Sequence, residues 1–234
     1  MLHIATPGVP LVTPKPGGTV EGIKYAHSIG IHAMEMEWVQ MVPKNPERML
    51  EIRSVAEELK FTLTVHAPYF INLNSPDAAK LAASKKRILD SLAMAELAGA
   101  VSVCVHPAFY LGMDPTTAFE NVRKATHDIM KKKELLFPHV NLAFETMGKP
   151  TQFGTLEEVL ALSKEFGIKT EILVADLTKS TQLAKVEKRL ASKVKPIEVL
   201  INNAGFGINK SFLESARDAE QELLDVLVTA PMRL

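Results

Sequence analysis

Two short stretches of this chain, "LTVHAP" (63–68) and "SVCVHP" (102–107), each run apolar, end on a histidine and then turn. A third, "NLAFET" (141–146), does the same with a carboxylate, Glu145. Imidazole and carboxylate are the natural ligands of a borderline-soft divalent ion such as zinc, so His66, His106 and Glu145 are candidate metal ligands. Any one of these histidines, taken alone, reads better as a strand-end side chain bonding a loop carbonyl. Three metal-compatible residues on three consecutive strand ends favour a metal site instead. The remaining histidines weigh less: His3 and His32 sit at strand starts, and His27, His127 and His139 lie on helices or loops. Cys104 shares a face with His106 under period-2 alternation, but a buried thiol is usually inert packing, and it is left out of the ligand set.

These residues need elements to position them. β-rich runs lie at 3–8, 33–39, 63–68, 102–107, 141–146, 171–176 and 198–205, separated by segments of helical period. In "NPERMLEIRSVAEELK" (45–60), Met49, Ile52, Val55, Ala56 and Leu59 fall on one face, the stripe of a half-buried helix. Ser75-Pro76-Asp77, Asp114-Pro115 and Thr155 with Glu157 and Glu158 carry helix-start chemistry, and Gly30, Gly99 and Gly167 suit helix ends. Repeated strand–helix alternation implies an α/β fold with a parallel sheet, either a seven-stranded, incomplete barrel or an open doubly wound sheet. In such folds the residues that act together gather at the C-terminal ends of the strands. By that rule Glu35 and Glu37, His66, His106, Glu145, Asp176, and Asn202 with Asn203 converge. Asp176 could serve as a fourth ligand or could cap a helix beginning near Ser180.

Composition limits the alternatives. With 47% hydrophobic residues the chain can bury a full core, and its formal net charge of zero argues against holding nucleic acid by bulk charge, so DNA binding is expected to be weak or absent. One cysteine permits no internal disulfide, which fits a reducing compartment. The start "MLHIATPGVP" lacks the charged and apolar regions of a signal peptide, and no apolar run is long enough to span a bilayer, so a cytoplasmic protein is expected.

Over residues 1 to about 167 the sequence resembles the endonuclease IV family of abasic-site nucleases, within the xylose-isomerase-like barrels. The resemblance rests on "TPGVPLVTPK" (6–15), "VHAPYFINLNS" (65–75), "ASKKRILDSL" (83–92), "VHPAFYLGMDP" (105–115) and "ETMGKPTQFGTLEE" (145–158), in the family's order and spacing. It implies five barrel-type β/α units and zinc ligands at His66, His106 and Glu145, part of a trinuclear cluster that activates hydroxide against a phosphodiester. The family's further ligands do not follow, since no histidine occurs after His139.

From about 168 to 234 the sequence resembles a central fragment of a short-chain dehydrogenase, on "VADLT" (174–178) and "NNAGFG" (202–207). That resemblance implies cofactor-facing roles for Asp176, Asn202, Asn203, Ala204 and Gly205. No glycine-rich pyrophosphate turn follows a strand, and the last tyrosine is Tyr110, so no Tyr-x-x-x-Lys pair exists and NAD(P) binding is not expected. The two resemblances together read as an engineered chimera, joined between Phe166 and Glu171, with two Rossmann-type units completing the barrel-type domain. Such a chain would keep a partial zinc site without efficient catalysis. It would also be prone to self-association through an unpaired sheet edge.

Overall fold

In a computed structural model, described here over residues 5–197, 200, 202 and 204–234, the described residues divide into two compact units, 5–170 and 171–234. The first unit carries a five-stranded parallel sheet in the order β1 (Ala5–Pro7), β2 (Ala33–Glu37), β3 (Thr62–His66), β4 (Ser102–Val105), β6 (Asn141–Phe144). Helices α1 (Thr19–Ser28), α2 (Pro46–Glu58), α3 (Ala78–Ala98) and α4 (Pro115–Leu136) connect successive strands of this sheet, and α5 (Leu156–Glu165) follows the last. Two short strands outside the main sheet, β5 (Ala108–Phe109) and β7 (Gln152–Phe153), pair antiparallel across the loops that follow β4 and β6.

The helices form where the sequence supplies their ends. Asn45 caps α2, with Pro46 as its first residue; Asp77 caps α3 by accepting from the amides of Ala79 and Lys80. Asp114 caps α4 ahead of Pro115, and Thr155 closes a reciprocal capping box with Glu158 on α5. Each side-chain acceptor satisfies a first-turn N–H that has no partner within the helix. The expected stripe on α2 is present: Met49, Ile52 and Ala56 are buried, and Val55 and Leu59 pack against the core at its margin. At the end of α3, Gly99 adopts φ +72°, and a Cβ there would stand 3.1 Å from the Arg53 side chain, so glycine meets both the backbone and the space requirement.

Strand register gives the sheet two unlike faces. Met34, Leu63, Val65, Val103 and Val105 point to the helices and are essentially inaccessible. Burying each such side chain stabilises the fold by about 1.5–3 kcal/mol. The opposite face carries Glu35, Thr64, His66, Ser102 and Cys104, which are smaller or polar, as the alternation of a barrel interior requires. The sheet does not close. Among the described residues it has five strands, with β1 and β6 at its edges, against the seven expected.

The difference lies in the C-terminal unit. The run 171–176, expected as a sixth strand, has no regular structure, and Ile172, Leu173 and Val174 are exposed. The expected seventh strand (198–205) falls partly on residues outside the described set, as does His3; its described members Leu200, Asn202, Ala204 and Gly205 are not in a strand. This unit instead contains α6 (Ser180–Leu190), α7 (Arg217–Leu224), a π-helical turn (Asp225–Thr229) and α8 (Ala230–Arg233). Among the described residues Leu183 and Ala230 are its buried apolar side chains, and ion pairs Arg189–Glu171 (3.1 Å) and Arg233–Glu187 (2.8 Å) tie its segments. β-propensity in 171–176 does not suffice for a strand, because a strand is stabilised by the ladder and packing of its neighbours.

Candidate metal centre

His66 closes β3, His106 follows β4 by one residue, and Glu145 follows β6 by one residue. The parallel ladder sets them side by side: His66 is the register partner of Cys104, and the Glu145 amide donates to the Val105 carbonyl at 3.1 Å. One potential donor atom from each of the three lies within 4.8 Å of the others. Both imidazoles approach the same carboxylate oxygen, Glu145 Oε2, with His106 Nε2 at 3.1 Å and His66 Nε2 at 3.5 Å. The sulfur of Cys104 stands 3.8 Å from that oxygen.

The orientation of His66 fits metal binding. Its Nδ1 lies 2.9 Å from the Ala67 carbonyl, which can only accept, so the ring proton sits on Nδ1. In the neutral ring Nε2 then presents a lone pair toward a carboxylate oxygen, and two acceptors face one another across a gap that suits a cation. This is the arrangement by which a second hydrogen bond fixes the tautomer of a ligating histidine. At His106, burial lowers the pKa and the nearby Glu145 carboxylate opposes that shift, with Nε2 in hydrogen-bonding contact with Glu145 Oε2 at 3.1 Å.

Other groups surround the trio. Burial raises the Glu35 carboxyl above its ordinary range; His66 opposes that shift, and Glu37 and Glu145 add to it. Burial also raises the Cys104 thiol, to about 12, with the Glu145 and Glu35 carboxylates contributing. Tyr69 lays its ring edge-on to His66 and tilted against His106, with centroids 5.1 Å from each. The loop carrying Tyr69 is fastened by two asparagines. Asn72 Oδ1 accepts from the amides of Asn74 (3.0 Å) and Phe109 (3.2 Å); Asn74 Nδ2 donates to the Phe109 (3.0 Å) and Tyr110 (3.2 Å) carbonyls. Asn121 on α4 completes the set by donating to Asn74 Oδ1 at 3.0 Å.

Of the residues singled out in the sequence, His66, His106 and Glu145 come together as expected. Asp176 belongs to the C-terminal unit, where Oδ1 accepts from the Thr178 amide (3.0 Å) and hydroxyl (2.7 Å). It caps that local turn; the residue at the α6 N-cap is Lys179. Asn202, Ala204 and Gly205 are exposed outside regular structure, and Asn203 lies outside the described residues. Sequence reasoning passed over Tyr69, Asn72 and Asn74, although all three stand with His66 in "VHAPYFINLNS" (65–75), one of the stretches that carry the family resemblance. It dismissed Cys104 although alternation had placed that residue on the ligand face.

A half-open parallel β/α sheet with metal-compatible side chains at its strand ends is the framework of a TIM-barrel protein. The chain belongs to the xylose isomerase-like TIM barrel family, whose model matches residues 23–177. A short chain dehydrogenase model matches residues 151–234, overlapping the first. An uncharacterised protein of Methanocaldococcus jannaschii is 30% identical over 168 residues, covering 72% of this chain and 59% of that protein. Among solved structures, D-psicose 3-epimerase with D-tagatose from Clostridium cellulolyticum H10 aligns with TM-score 0.58 and 16% identity, covering 70% of this chain and 60% of that one. Endonuclease IV from Thermus thermophilus aligns with TM-score 0.53 and 18% identity, covering 72% and 60%. At these identities the structural likenesses establish the fold, and the chain spans about three-fifths of the length of each of these relatives. No helix among the described residues is long and apolar enough to cross a membrane.

Proposed function

We propose that this chain binds one divalent metal ion, zinc on the chemistry of its donors, through His66, His106 and Glu145, and that it does so without efficient catalysis. The observation carrying the reading is the convergence of both imidazole Nε2 atoms on one Glu145 oxygen, with His66 held by Ala67 in the tautomer that leaves Nε2 available. Two nitrogens and a carboxylate oxygen suit zinc without excluding other borderline divalent ions. A bound ion of this kind would supply Lewis acidity and a lowered water pKa. The protein's part is to hold three donors at adjacent strand ends, with Tyr69 packed against the two imidazole rings.

Metal analysis of the purified protein beside a His66→Ala/His106→Ala double variant tests the proposal. About one ion per chain in the parent and none in the variant is the expected result. Equal, near-zero metal in both proteins would overturn it.

A second reading is a metal-dependent phosphodiester hydrolase like endonuclease IV, supported by the family match and by the clustered donors. Cleavage of an abasic-site duplex in added zinc or manganese, above the level of the double variant, would establish that activity. The first reading, not this one, takes the chain as a chimera of two β/α lineages, supported by two family models, over residues 23–177 and 151–234, whose overlap contains the boundary between the units at Thr170 and Glu171. Residual dinucleotide binding by the C-terminal segment is a further alternative that calorimetry with NAD(P) tests; the expected result is no heat of binding.

A further inference from the structure

The three donors leave a tetrahedral ion one position short, and one neighbouring side chain carries a donor atom of another kind. We propose that Cys104 supplies the fourth ligand through Sγ, giving a site of two nitrogens, one oxygen and one sulfur that selects thiophilic divalent ions. The inference rests on the metal-binding reading above and specifies the class of ion the site takes.

The geometry carries it in three parts. First, Cys104 is the register partner of His66, so both side chains leave the same face of the sheet, and it stands two residues before His106, which directly follows the strand. Second, His106 Nε2, His66 Nε2 and Cys104 Sγ lie 3.1, 3.5 and 3.8 Å from a single oxygen, Glu145 Oε2. With metal–nitrogen and metal–oxygen bonds of about 2.0 Å and a metal–sulfur bond of about 2.3 Å, the edges of a tetrahedron are about 3.3 Å from oxygen to nitrogen and about 3.5 Å from oxygen to sulfur. The two oxygen–nitrogen separations lie on either side of the first edge, and the oxygen–sulfur separation is the longest of the three and exceeds the second. Third, Cys104 is only partly buried, so neither the ion nor a probe is barred from it.

Cys104 is outside the trio whose donors all fall within 4.8 Å, so its sulfur must move toward the imidazole nitrogens when an ion binds, a motion that its single side-chain torsion, with three staggered wells, permits. As the sulfur–metal bond forms, the S–H bond breaks and the proton passes to solvent. Nothing is oxidised, and each ion bound through sulfur releases one proton from the thiol.

Because the chain has a single cysteine, any thiolate signal reports on this position alone. The experiment loads the full chain with cobalt(II) and records its absorption. A parallel measurement follows iodoacetamide labelling of Cys104 with and without zinc. The expected results are a near-ultraviolet thiolate-to-cobalt band at one ion per chain and protection of the thiol by zinc. In Cys104→Ser the band disappears, and zinc affinity falls by about tenfold or more, at least what loss of an outer-shell partner can cost. Cobalt bound with visible ligand-field bands but no thiolate band, and with labelling unchanged by zinc, overturns the role of Cys104 and leaves the three-residue site standing. Cobalt not bound at all overturns both readings. The absorption and labelling measurements on the unaltered chain decide the matter even if the serine variant does not fold.

Discussion

The imidazole Nδ1 of His66 hydrogen-bonds the backbone carbonyl of Ala67, 2.9 Å away, and that bond determines which nitrogen of His66 faces the site. A side chain held this way is preorganised for binding. His66→Ala therefore removes a ligand and its orientation together, and should weaken zinc binding by more than the about 10–100-fold typical of losing an outer-shell partner. Isothermal titration or competition with a chelator measures it, and affinity equal to the parent's would refute the assignment.

Asn74 presents a second test, of the scaffold rather than the ligands. It is almost fully buried, donates to two carbonyls beyond β4 and accepts from Asn121 on α4. Asn74→Ala removes a donor from the part-buried Phe109 and Tyr110 carbonyls, the second of which still accepts from the Met113 amide, and an acceptor from the Asn121 amide, at a cost of about 1–3 kcal/mol for each group left unsatisfied away from water. Urea unfolding should show a lowered midpoint, and the loop that carries Tyr69 should become more susceptible to proteolysis. An unchanged midpoint would mean that water replaces the lost bonds at no cost.

Tyr110 gives a pH-dependent prediction. Burial and its 2.7 Å hydrogen bond to Glu158 raise the phenol from 10 to about 12 in the folded protein. A raised folded value means that the folded state holds the proton longer than the unfolded chain does. The resulting stabilisation is complete below pH about 10 and is lost as pH climbs from about 10 to about 12. Tyr110→Phe should abolish that part of the alkaline loss. Thermal melts of both proteins across this range make the comparison, and parallel curves would refute the prediction.

The outer edge of β6 bears on self-association. Among the described residues β6 pairs in the main sheet with β4 alone, and its exposed Ala143 offers no charge to discourage strand addition. Light scattering across a concentration series should show association, and Ala143→Lys should reduce it. A single monomeric peak at all concentrations would rule it out. The sequence had located the unpaired edge at a seventh strand; in the structure the sheet ends at β6.

What the sequence determined by itself was short-range. Asp77, Asp114 and Thr155 marked their helix starts because an N-cap acts within one turn, and the alternation in β2 to β4 divided core from ligand face because strand period is local. His66, His106 and Glu145 were legible as a group because parallel β/α units deliver their strand ends to one side. What only the tertiary structure decided depended on neighbours distant in sequence. The run 171–176 has the composition of a strand, yet no ladder stabilises it as one. The approach of Cys104 to Glu145, the packing of Tyr69 on two imidazoles and the clasp of Asn72 and Asn74 join residues up to 41 positions apart, a distance over which periodicity carries no information.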